Sequence, residues 1–102
     1  MNNTQAISTI KFQKTVYPFC PMGNDNYKGE ICVVFWPNKT LFDFCEVDEQ
    51  ITALGGKSLI IEELVDAVFQ LMLKYQPANL IVTVHGNSNK HFPVTVTKTM
   101  KR

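Results

Sequence analysis

At 102 residues and a formal net charge of +1, the chain has the size of one domain. That charge gives no reason to expect the basic footprint of a nucleic-acid binder or a membrane-attracted surface. Apolar residues at 45% and charged residues at 19% are ordinary globular composition, so disorder is expected only at the ends. Three cysteines without paired spacing exclude a disulfide framework, and a reducing cytoplasm is the expected compartment.

The opening stretch "MNNTQAIST" has neither the basic start nor the apolar run of a secretory signal. Residues 1–5 are expected to be disordered and residues 6–100 to form a single domain. "AISTIKFQKTVYPF" mixes β-branched and aromatic residues with local alternation, which predicts a long strand ending at Pro18 or Phe19. "GNDN" is a turn cluster, and "YKGEICVVFW" is a second strand stopped by "PNKT". Ile31 to Trp36, the longest apolar run, is too short to span a bilayer.

"EVDEQITAL" places Val47, Ile51 and Leu54 at helical spacing and ends at Gly55–Gly56. A longer helix is expected from Ser58, as N-cap, to Tyr75, with Pro77 stopping it. Leu64, Val68, Leu71, Met72 and Tyr75 mark one face, and Ile60, Ile61, Val65 and Phe69 widen it. "NLIVTVHG" and "FPVTVTKT" are two further strands around the turn "NSNKH", and Lys98, Lys101 and Arg102 form a solvated, frayed end. The order is β-β-α-α-β-β, an α+β layer of four antiparallel strands with both helices on one face. The other face is left wet or covered by a partner, and the open sheet edges favour oligomerisation.

Cys20 sits between a strand and a turn. A lone cysteine reads either as a small packed hydrophobe or as a reactive thiol next to a cation or helix N-terminus. Cys32, within a strand, and Cys45, before a helix, read as structural. Glu62 reads either as an ordinary first-turn helix acid or, amid the apolar "LIIEELV", as a pointed binding group. His85 and His91 flank the last turn and read as exposed or hydrogen-bonded.

This element order, with "FCPMGNDNY" after the first strand and a glutamate opening the long helix, resembles the tunnelling fold, T-fold for short. Within it the chain most resembles the QueF family of NADPH-dependent 7-cyano-7-deazaguanine reductases of queuosine biosynthesis, over roughly residues 17 to 97. The resemblance implies a subunit that assembles with copies of itself into a barrel and binds a purine-like or pterin-like ring. Cys20 would attack the nitrile to give a thioimide, and Asp25 would handle protons. The family's aspartate position falls on Asn26, one residue later. Glu62 would grip the ring, with Glu63 as the second choice.

The family's histidine before that glutamate is Ile61 here, which makes His85 the candidate replacement. NADPH is the implied cofactor, yet its stretch corresponds to "DFCEVDEQ", where Asp43 replaces a glutamate and no lysine remains. Lys90 is then the candidate cation for it. The resemblance also raises a catalytic zinc, as in GTP cyclohydrolase I. The string Cys20-Pro21-Met22-Gly23 lacks that family's ligands and no cysteine follows Cys45, so no metal is expected. Two other activities fit the resemblance: a QueF-like amidinotransferase acting on the nitrile in tRNA, and a non-catalytic ring binder or structural oligomer.

Overall fold

The computed structural model describes residues 8–102. The expectation of disorder over residues 1–5 lies outside the described residues. Four long strands, β1 (Ile10–Val16), β4 (Lys28–Trp36), β5 (Asn79–Asn87) and β6 (Val94–Lys101), form one antiparallel sheet in the order β1-β4-β5-β6. A two-stranded piece, β2 (Phe19–Cys20) with β3 (Asp25–Asn26), lies between β1 and β4 in the chain. Two helices, α1 (Phe44–Leu54) and α2 (Ile61–Leu73), separate the sheet's halves in sequence.

The strand period of two sorts the side chains. Ile31, Val33 and Phe35 of β4 and Leu80, Val82 and Val84 of β5 point to one face and are fully buried. Against them lie Leu64, Val65, Val68, Phe69, Leu71 and Met72 of α2, with Val47 and Ile51 of α1, in one cluster. The other face carries Cys32, Val34, Trp36 and Ile81, half-buried with no helix over them. The sheet, the antiparallel pairing and the two helices on one face match the expected α+β architecture.

Several boundaries differ from expectation, each for a local reason. The first strand ends at Val16 rather than Pro18 or Phe19, because Phe19 and Cys20 pair instead with Asp25 and Asn26. Helix α1 starts two residues early, since Asp43 caps it: its carboxylate accepts the N–H groups of Cys45 at 2.8 Å and Glu46 at 3.3 Å. Ser58 does not cap α2. It bridges Phe19 in extended backbone, the N-cap is Ile60, and Glu63 supplies the capping group by accepting the Ile60 N–H at 3.0 Å. The helix ends at Leu73, ahead of Gln76 in a left-handed conformation at φ 52°. Nor is the basic tail frayed through its length, for β6 continues to Lys101 and Lys98 pairs with Asp66 over the Phe69 ring.

Candidate active-site cleft

The short β2–β3 ladder is what places Cys20. Its turn is tight because Asn24 adopts a left-handed conformation at φ 54°, which asparagine tolerates better than most residues. On its outer side, Phe19 is clamped to the chain before α2: its N–H donates to the Lys57 carbonyl at 3.2 Å, and its carbonyl accepts the Leu59 N–H at 2.9 Å. Cys20 is thereby tied to the N-terminus of α2, three residues from Leu59 to Glu62.

Asp25 lies directly opposite Cys20 in the ladder. Opposed residues on adjacent antiparallel strands share a face, with Cβ atoms roughly 4.5–5.5 Å apart. Asp25 therefore takes the place beside the thiol, although it stands one position early in the chain. Its Oδ1 accepts the Asn26 N–H at 2.8 Å. Asn26 turns the other way, with its side-chain amide donating to the Tyr17 carbonyl at 2.9 Å.

Cys20, Asp25 and Glu62 line a single cleft of about 470 Å³. Its apolar walls come from Ile60 and Ile61 at the start of α2 and from Val94 and Val96 of β6, with Met22 at the rim. Met22 is 83% exposed, a large side chain held in water beside an apolar opening. Ser88, Lys90 and His91, from the turn between β5 and β6, close the remaining side. Gly23 lies between the two sides: a Cβ there would make ordinary contact, at 3.9 Å, with both the Cys20 sulfur and Lys90 Cγ.

Tyr27 forms the back of the cleft. It is buried, and its hydroxyl donates to the Leu59 carbonyl at 2.7 Å. Burial, with the nearby Cys20, Glu62 and Glu63, holds its phenol protonated far above the usual tyrosine range. Ile61 presses into the wall so closely that a Cβ on Gly86 would meet its Cδ1 at 2.6 Å. An apolar side chain thus occupies the helix position next to Glu62.

Of the residues singled out in the sequence, Cys20, Asp25, Glu62 and Lys90 come together here. Glu63 does not, because its carboxylate is used to cap α2. His85 is not in the cleft either: it lies on the helix-free face of β5, where its Nδ1 meets the Thr95 hydroxyl at 2.7 Å. An even–odd count along "NLIVTVHG" separates His85 from the buried Val84 and could have placed it there. His91 is the histidine of the cleft, and Tyr27, the last residue of "FCPMGNDNY", and Ser88 line it as well, although neither was given a role in the sequence. The "DFCEVDEQ" stretch forms the exposed first turns of α1, away from this cleft, with Asp43 used as a cap and Asp48 paired to Lys14 at 2.9 Å. Among the described residues, no group of three His, Cys, Asp or Glu side chains could hold a metal ion. No described helix is long and apolar enough to cross a membrane.

No family model matches the chain, and no curated protein matches it. Among solved structures, it is similar to the archaeosine synthase QueF-Like in its apo form, with a TM-score of 0.82 and 18% sequence identity. The match covers 93% of this chain and 95% of that one. Sheet order, helix placement and this near-complete overlap agree that the chain has the tunnelling fold.

Proposed function

We propose that this chain is a QueF-like enzyme acting on the nitrile of a 7-deazaguanine, with Cys20 as its nucleophile. The observation that supports this most is the meeting of Cys20, Asp25 and Glu62 around one apolar-walled cleft. The Cys20 sulfur bonds to the nitrile carbon while one C–N π bond opens. The thiol proton passes through the Asp25 carboxylate to the nitrile nitrogen, giving a thioimide. Glu62, in the first turn of α2, accepts hydrogen bonds from a ring N–H and an exocyclic amine, and the positive end of the helix complements its charge. Ile60, Ile61, Val94 and Val96 offer flat contact to the ring.

The thioimide is then resolved by ammonia. Nitrogen bonds to the thioimide carbon, the C–S bond breaks, and an amidine leaves with the Cys20 thiol restored. This fate is favoured over reduction because the NADPH stretch of the reductases does not fit the cofactor here. Asp43 is committed to capping α1, Asp48 is paired to Lys14, and a phosphate would meet the exposed acids Glu46 and Glu49. Lys90 lies in the β5–β6 turn at the cleft and not at that stretch of α1. The solved neighbour is itself an archaeosine synthase. A net charge of +1 gives little overall attraction to tRNA, so the free base is the first substrate to offer.

Assembly with copies of itself is part of the proposal, since the helix-free sheet face and the β1 and β6 edges are uncovered in one chain. Intact-mass measurement with 7-cyano-7-deazaguanine tests the chemistry. A gain equal to the ligand's mass in the wild type and none in Cys20→Ala supports it. No gain at millimolar ligand overturns it and leaves a ring binder or structural oligomer. Consumption of NADPH by the adduct would instead restore the reductase assignment.

A further inference from the structure

Resolution of a thioimide by ammonia has a requirement that Cys20, Asp25 and Glu62 do not meet. As ammonia bonds to carbon it becomes cationic and must lose a proton, while the departing sulfur must gain one. The proton acceptor has to stand on the open side of the cleft, where a small nucleophile arrives from water. Asp25 lies opposite Cys20 in the β2–β3 ladder, with one oxygen already taken by the Asn26 N–H and the other assigned to the proton of the thiol addition. Position 61, beside Glu62, is an isoleucine wedged toward Gly86. Lys90, at the mouth, is an ammonium with no acceptor lone pair.

His91 satisfies the requirement. It is exposed and lines the cleft from the turn between β5 and β6. That turn is held by the Ser88 hydroxyl, which accepts the Lys90 N–H at 3.1 Å. His91 Nδ1 lies 2.6 Å from the Phe92 carbonyl oxygen. A carbonyl only accepts, so Nδ1 carries the hydrogen and the neutral ring has its lone pair on Nε2. The Phe92 ring packs edge-on against it at 5.8 Å. With Nδ1 held by a carbonyl, the ring nitrogen left to accept a proton is Nε2.

We propose that His91 is the proton carrier of the second half-reaction, an inference that rests on the thioimide and ammonia steps above. Nε2 takes a proton from the attacking ammonia as the C–N bond forms. The imidazolium gives that proton to the Cys20 sulfur as the C–S bond breaks, so atoms and charge balance with no further reactant. The first half-reaction, in which the thiol adds to the nitrile, does not need it.

The test separates the two halves. Adduct is formed from 7-cyano-7-deazaguanine in the absence of ammonia, excess ligand is removed, and ammonium chloride is added while intact mass follows adduct loss. His91→Gln and His91→Gly are expected to form adduct and to release it at least ~100-fold more slowly than the wild type, the low end for a general base. Free imidazole added to His91→Gly is expected to restore part of the rate, which a purely structural role would not allow. Release by both variants at the wild-type rate overturns the inference and leaves the thioimide chemistry standing. Failure of the wild type to form adduct overturns the chemistry itself, and an adduct that ammonia does not discharge overturns the ammonia step.

Discussion

Tyr27 joins fold and cleft through a single hydroxyl. Its ring is core, and its O–H closes the Leu59 carbonyl in the segment that carries Glu62 toward Cys20. Replacing it by phenylalanine leaves that carbonyl unpaired and is expected to cost about 1–3 kcal/mol in urea unfolding. The pH dependence follows from the raised phenol. In the unfolded chain Tyr27 ionises near 10.0, whereas the folded protein holds its proton well above that. The unfolded state then binds fewer protons, so this contribution is complete below pH 10 and is lost as pH rises beyond it. Unfolding midpoints between pH 9 and 11 are expected to fall more steeply for the wild type than for Tyr27→Phe. Equal slopes would show that Tyr27 is not the group responsible.

At the scale of elements, the contact between the end of α1 and β1 fixes where the helical layer begins. Gly55 caps α1 against Val16, and a Cβ there would stand 2.8 Å from the Val16 Cβ, an atom too near its backbone to swing aside. Gly55→Ala is therefore expected to destabilise by roughly 1–3 kcal/mol, as overpacking does. A smaller penalty for Gly55→Ala in a Val16→Gly background, which removes that Cβ, would locate the clash. Gly55–Gly56 was legible as a helix end, and so were the four long strands, because burial on one face writes a period of two into β4 and β5. The β2–β3 piece was not. Its two-residue strands are too short to carry a period, and its pairing depends on Asn24 adopting φ 54° and on hydrogen bonds to Lys57 and Leu59 far along the chain. Ser58 misled for the same reason, since its backbone is recruited by Phe19 before it can cap α2. Cys20, Asp25 and Glu62 were legible through motif resemblance, whereas His91 carried no motif and became visible only once the β5–β6 turn closed over the cleft.

Across the whole molecule, a radius of gyration of 15.2 Å exceeds the ~13 Å of a compact 100-residue domain. Principal extents of 60 × 26 × 18 Å describe a long slab with one covered face. Trp36, Val34 and Ile81 lie on the uncovered face, beside the open β1 and β6 edges. A chain so shaped is expected to sediment as a homo-oligomer at micromolar concentration. Trp36→Asp is expected to shift it toward monomer by placing a charge on that face. A wild-type monomer at every accessible concentration would show that the slab is stable alone.

Carbon NMR reads directly the covalent bond proposed between Cys20 and the nitrile carbon. With 7-cyano-7-deazaguanine labelled with carbon-13 at the nitrile, the wild-type protein is expected to move one equivalent of signal from the nitrile range into that of an sp² thioimide carbon. In Cys20→Ala the signal is expected to stay where the free ligand has it. An unmoved nitrile signal at saturating wild-type protein would contradict the assignment of Cys20 as nucleophile.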